Sequence, residues 1–244
     1  MENWEGLQTN ALLRRMEEDG AVAYANRIPV SFRLQAVARQ PDWRFDMGAQ
    51  DPIEPHCEGH FLLPSGRHTN VFIQLSLALR YVGTSQAVGF QLYKRLQTAG
   101  LLDQIDVLLG PPVGALAVVT ALQYTIDSAK IEAMYLDRTP EGGFRLGRGF
   151  QLHGKRVLLV DDVFTTGGSL RKAIVACNAA VQPDGEECTF VGAAVVLNRA
   201  SDPEAFRLAT VTMPIVSAVH YPLQDWEPSH CPYCAREVPL FIVQ

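Results

Sequence analysis

The 244-residue chain is 48% hydrophobic and 19% charged with a formal net charge of -5, so it can bury a full core as one domain with an appendage, and its acidity argues against general nucleic-acid binding. No apolar run approaches membrane-spanning length and the opening Met1 to Gly6 lacks the basic and apolar regions of a signal peptide, which makes a cytoplasmic enzyme the expectation. The five cysteines are an odd number with no export signal, a pattern that favours reduced thiols over a disulfide framework.

Thr9 and Asn10 are placed to cap a short surface helix bearing Leu12, Leu13 and Met16, with Gly20 at its end. From Ala21 to Glu58, Pro29, Pro41, Pro52 and Pro55 break any period and the charges form no basic face, which predicts an irregular covering segment rather than a DNA-binding arm. Between Gly59 and Leu79 two apolar runs flank Pro64, Ser65 and Gly66, the composition of a hairpin. Ser85 to Gly100 carries Val88, Leu92, Leu96 and Ala99 at helical spacing. Ile105 to Leu109 reads as a buried strand entering Gly110, Pro111, Pro112, Val113 and Gly114, ahead of an apolar helix to Leu122. A loop of this kind offers free amides to an anion. Glu132 to Leu136 is a third strand, and the Gly- and Arg-rich residues from Asp137 to Gly154 suit a lid better than packed structure.

The stretch from Val157 to Leu170 organises the rest. Four apolar residues form a buried parallel strand ending at Asp161 and Asp162, followed by Thr165, Thr166, Gly167, Gly168 and Ser169 where a helix begins. The small residues let backbone amides converge on a phosphate, while the carboxylates accept hydrogen bonds from hydroxyls. A ribose 5-phosphate meets both demands. Leu170 to Ala180 is helical, and Phe190 to Leu197 is an apolar strand ending in Asn198 and Arg199. This alternation implies an α/β architecture with ligands at the strand C-termini.

The central motif resembles the phosphoribosyl diphosphate (PRPP) motif of the type I phosphoribosyltransferases, a hydrophobic strand, two acidic residues and a Thr/Gly/Ser loop. The Gly59 to Leu79 hairpin resembles the hood segment of the orotate phosphoribosyltransferases, and the likeness extends to Arg199. It implies a mostly parallel central sheet with flanking helices and a small hood from the N-terminal segment and C-terminal tail. Residues 1–82 would hold the first helix, the extra segment and the hood hairpin, 83–215 the PRPP-binding core, and 216–244 the tail.

The resemblance also implies roles. Asp161 and Asp162 would bind the ribose hydroxyls and steady a cationic ring, and Arg138 would meet the leaving diphosphate. Thr165, Thr166, Gly167, Gly168 and Ser169 would hold the 5-phosphate, with Gly110, Pro111 and Gly114 in the diphosphate loop. Ala115 stands where a second Gly is common there. Thr139 replaces a frequent Lys, so Arg145 or Arg148 would supply the second cation. Ser65, Gly66, Arg67, Thr165 and Arg199 would face the base, the Arg199 fork pairing with the orotate carboxylate. Pro64 takes the place of a family Lys, leaving that phosphate contact absent or to Arg67. Magnesium would enter with PRPP, and a homodimer would share lid residues.

The segment from Ala21 to Glu58 departs from the family pattern and leaves room for another nucleobase, or for a sensor of PRPP or nucleotides without catalysis. In the tail, Cys231 and Cys234 form a single Cys-x-x-Cys. Together with His56, Cys57 and His60 they could assemble four zinc ligands, but one such pair is a weak signal, and no metal held by the protein itself is expected. His153 reads as a loop residue rather than a general base.

Overall fold

Val157, Leu158, Leu159 and Val160 are all fully buried, the two-sided burial of a parallel strand with helices on both faces. The computed structural model describes residues 4–24, 34–36, 59–63, 65–126, 128–180, 186–200, 205–208 and 211–243. In chain order the elements begin with α1 (Trp4–Glu18), β1 (Val22–Tyr24), β2 (Leu34–Ala36), β3 (His60–Leu62), β4 (His68–Thr69), β5 (Val71–Ile73), α2 (Leu75–Leu79) and α3 (Val82–Thr98). They continue with β6 (Val107–Gly110), α4 (Gly114–Ile126), β7 (Glu132–Arg138), β8 (Phe144–Leu146), β9 (Arg156–Phe164) and α5 (Gly168–Ala179). β10 (Thr189–Asn198), β11 (Ala205–Leu208), β12 (Val211–His220), β13 (Asp225–Trp226) and β14 (Leu240–Val243) complete the chain.

Two compact units result, one formed by Met1–Leu13 with Leu79–Pro222, the other by Arg14–Ala78 with Leu223–Gln244. The first is built on a seven-stranded sheet of order β11-β12-β10-β9-β6-β7-β8. Its five central strands are parallel, and antiparallel β11 and β8 close the two edges. Val107, Leu109, Val157 and Leu159 pack with Leu170, Ile174 and Cys177 of α5 in one core. The alternate residues Leu108 and Leu158 are equally buried and face the side covered by α3 and α4, as the two-residue period of a strand requires. α3 and α4 approach so closely that a Cβ on Gly89 would lie 2.6 Å from the Ala121 carbonyl oxygen. Among the described residues no helix is long and apolar enough to cross a membrane.

The second unit joins the N-terminal segment and the tail in a five-stranded sheet of order β13-β4-β3-β14-β2, beside a β1–β5 pair. Phe61 and Phe241 are buried at its centre. The expected hairpin is present: Leu63 N–H donates to the Arg67 carbonyl at 2.8 Å, and Gly66 turns the chain at φ +81°.

Several boundaries differ from the sequence expectation. α1 starts at Trp4, so Thr9 and Asn10 lie inside it rather than capping it. Within the segment expected to be irregular, β1 and β2 are strands recruited by β5 and β14; residues 25–33 and 37–58, and Pro64, lie outside the described residues. β12 runs across the expected residue-215 boundary, held by its pairing with β10.

Candidate active site

The parallel register brings the C-terminal ends of β6, β7, β9 and β10 side by side, with Leu109 opposite Leu159, Gly110 opposite Tyr135 and Asp161 opposite Val195. β9 does not stop at the carboxylates, as the sequence suggested, but continues to Phe164. Asp161 and Asp162 therefore sit within the strand's last turns of pleat and project to opposite sides of it. Asp161 is 6% exposed and Asp162 half-buried. Burial above all, and then the charge of Asp162, raise the Asp161 carboxyl well above the ordinary carboxylate range, while Ser169 hydrogen-bonds to it.

A cavity of about 320 Å³ opens beside this pair. Its walls include Pro111 to Gly114 after β6, Arg138 at the end of β7, Phe144 of β8, both aspartates, and Gly168, Ser169 and Lys172 of α5. Gly114 opens α4, and a Cβ there would collide with Asp162 Oδ2, so that any side chain at this position would displace the carboxylate. The Pro112–Val113 peptide bond is cis. At α5 the chain enters the helix through Gly167 at φ +77°, in a space where a Cβ would strike the Phe206 ring. The first amides of α5 are thereby left free of intrahelical partners at the cavity wall.

Of the residues singled out in the sequence, Asp161, Asp162, Arg138, Pro111, Gly114, Gly168 and Ser169 meet in this cavity. Arg138 donates to the Pro112 carbonyl at 2.8 Å and lies 5.6 Å from the Phe144 ring. Thr165 and Thr166 are exposed on the turn between β9 and α5, and Gly110 is the buried last residue of β6. Arg199 follows β10 directly, its backbone N–H bonded to the Phe164 carbonyl at 2.8 Å. Arg145 instead pairs with Asp137 at 3.6 Å, and Arg148 lines a separate cavity with His153 and Glu186. Ser65, Gly66 and Arg67 belong to the second unit, where Arg67 is clamped by Asp225, at 2.7 Å, and by Glu227.

The stretch expected to be a lid rather than packed structure begins as a hairpin, β7 pairing with β8 through a turn in which Thr139 N–H bonds to the Gly143 carbonyl. Lys172 donates to the Gly142 carbonyl at 2.7 Å and ties this turn to α5. Lys172, passed over in the sequence, is the second cation of the cavity. The signal was there in its position one helical turn after Gly168 and Ser169, which puts it on the same face of α5.

A family model for the phosphoribosyl transferase domain matches residues 84–226. The chain belongs to this family. The phosphoribosyltransferase is 33% identical over 183 residues to a protein of Pelotomaculum thermopropionicum named orotate phosphoribosyltransferase, a match covering 74% of this chain and 86% of the relative. Among solved structures it is similar to an orotate phosphoribosyltransferase of Aeropyrum pernix, with a TM-score of 0.56 at 19% identity, over 86% of this chain and 93% of that one. It also matches a Leishmania donovani UMP synthase, with a TM-score of 0.59 at 18% identity, spanning 89% of this chain but 37% of that chain. At such identities the two structures speak for the fold, which is the type I phosphoribosyltransferase fold.

Proposed function

We propose that this phosphoribosyltransferase moves the 5-phosphoribosyl group of PRPP to orotate, forming orotidine 5'-monophosphate and diphosphate in pyrimidine biosynthesis. The observation that carries the reading is a single cavity holding the Asp161 and Asp162 pair together with Arg138, Lys172 and the start of α5. The choice of base is supported by the identity to the named relative over most of both chains.

In this reaction the C1–N bond to the base forms and the C1–O bond breaks, its electron pair leaving with the diphosphate, while the base nitrogen gives up its proton to solvent. Charge becomes positive on the ribose and increasingly negative on the leaving group. Asp161 and Asp162 hydrogen-bond to the ribose hydroxyls, and their carboxylates stabilise the positive ring, whose charge in turn draws the raised pKa of Asp161 down in the complex. The amides of Gly168 and Ser169 hold the 5-phosphate at the start of α5, and Thr165 to Gly167 shape the turn around it. Arg138 and Lys172 receive the diphosphate above the loop from Pro111 to Gly114. The carboxylate oxygens of the cavity suit a hard divalent cation, and magnesium arriving with PRPP supplies charge neutralisation at the diphosphate. Arg199, at the end of the strand next to the aspartates, pairs with the orotate carboxylate.

A second copy of the chain is the expected partner. Val82 and Tyr124, 72% and 80% exposed, line an apolar groove of about 580 Å³ along α3 and α4, the kind of surface that a homodimer covers. The cytoplasm is the proposed location. The test is mass-spectrometric detection of orotidine 5'-monophosphate from protein, PRPP, magnesium and orotate. Formation of that product in proportion to protein supports the reading; PRPP binding without product would instead favour a sensor.

A further inference from the structure

We infer that the second unit carries a structural zinc site made of His60, His68, Cys231 and Cys234, an assignment independent of the transferase reaction. One ligand atom from each of the four lies within 4.8 Å of all the others. Around tetrahedral zinc the N···S and S···S edges measure about 3.6 and 3.8 Å from ordinary bond lengths. Cys234 Sγ already lies 3.2 Å from His68 Nδ1 and 3.4 Å from His60 Nε2. The cluster is two imidazole nitrogens and two cysteine sulfurs in a buried setting, with His60, His68 and Cys231 at 0%, 1% and 3% exposure.

Local structure sets this convergence. Leu62 sits opposite His68 across β3 and β4, and the two-residue strand period puts His60 on the same face as Leu62. The histidines are thus diagonal neighbours on one face of the hairpin. β13 pairs Trp226 with His68 and so delivers the following turn, with both cysteines, to the same place. His60 Nδ1–H donates to the Pro239 carbonyl at 2.9 Å, which turns Nε2 inward as an acceptor, the arrangement that orients a metal-binding imidazole. Tyr233 stacks on the same ring at 5.6 Å. A thiophilic divalent cation engages all four atoms together. The ion would staple the tail to a hairpin 174 residues away in the chain. His56 and Cys57, grouped with this motif in the sequence, lie outside the described residues; His68 takes the fourth place.

The experiment measures metal in the full-length protein purified under reducing conditions without chelator. One zinc per chain is expected, together with a cobalt-substituted form showing thiolate-to-cobalt charge transfer in the near ultraviolet. Chelation should lower the melting temperature and added zinc should restore it. Cys234→Ser and His68→Ala should lose the metal, while Cys57→Ser keeps it. Less than a tenth of an equivalent in folded protein after incubation with equimolar zinc, or a Cys231–Cys234 disulfide in its place, would overturn the site. Loss from Cys57→Ser with retention in His68→Ala would overturn the ligand set.

Discussion

The carboxylate of Asp162 packs directly on the α-carbon of Gly114, so that Asp162 Oδ2 occupies the space a Cβ would need. The loop after β6 and the carboxylate pair on β9 are therefore one fitted surface, and the absence of a side chain at residue 114 sets the position of a proposed catalytic group. Gly114→Ala should preserve the far-ultraviolet circular dichroism yet lower turnover on the order of 100-fold, since displacement by about 1 Å suffices for such a loss. Steady-state kinetics on the folded variant checks it; unchanged turnover would separate Asp162 from the reaction.

Arg138 and Lys172 bound the same cavity from different elements, one at the end of β7 and the other on α5. Removing one preorganised cation at a leaving group typically costs about 100- to 1000-fold in turnover. Arg138→Ala is expected to reduce kcat within that range with little change in the KM for orotate. Lys172→Met should additionally raise the KM for PRPP, because it also frees the turn at Gly142 from α5.

Asp161 gives a pH dependence whose sign follows from its raised pKa. Above the ordinary carboxylate pKa of roughly 4, the unfolded chain has released a proton that the folded chain still holds. Folding stability from this group is thus complete below that pH and is lost as pH rises through the raised value. Asp161→Asn cannot ionise and escapes the loss. Its melting temperature should exceed the parent's at mildly alkaline pH, the gap closing as the pH falls, while its turnover collapses. A variant less stable than the parent at alkaline pH would contradict the burial argument.

Arg199 is predicted to select the base rather than the sugar. An interaction of the guanidinium with a carboxylate contributes about 1.5 to 3 kcal/mol, equivalent to roughly 10- to 150-fold in affinity. Arg199→Ala should weaken orotate binding by that factor with PRPP affinity intact, read by calorimetry for each ligand separately.

Much of this was legible from residue order. The pattern from Val157 to Ser169 pointed to the strand, the acidic pair at its C-terminal end and the helix start after the glycines, because each depends on local composition. The extent of β9 past Asp162 was not legible, since it depends on β10 pairing Asn198 with Phe164. β8 escaped notice for the same reason: three residues become a strand only because Leu136 to Arg138 pair with them. Arg145 and Lys172 show the limit for side chains. Both are cations near the motif in sequence, but hairpin register turns one toward Asp137 while helix geometry brings the other to the cavity.

The most direct test is the rate of diphosphate release from PRPP and magnesium, with orotate, uracil, adenine, guanine and hypoxanthine offered in separate reactions. Release with orotate and background rates with the other four bases is the predicted result. Release supported by a different base, with none from orotate, would contradict the proposed substrate.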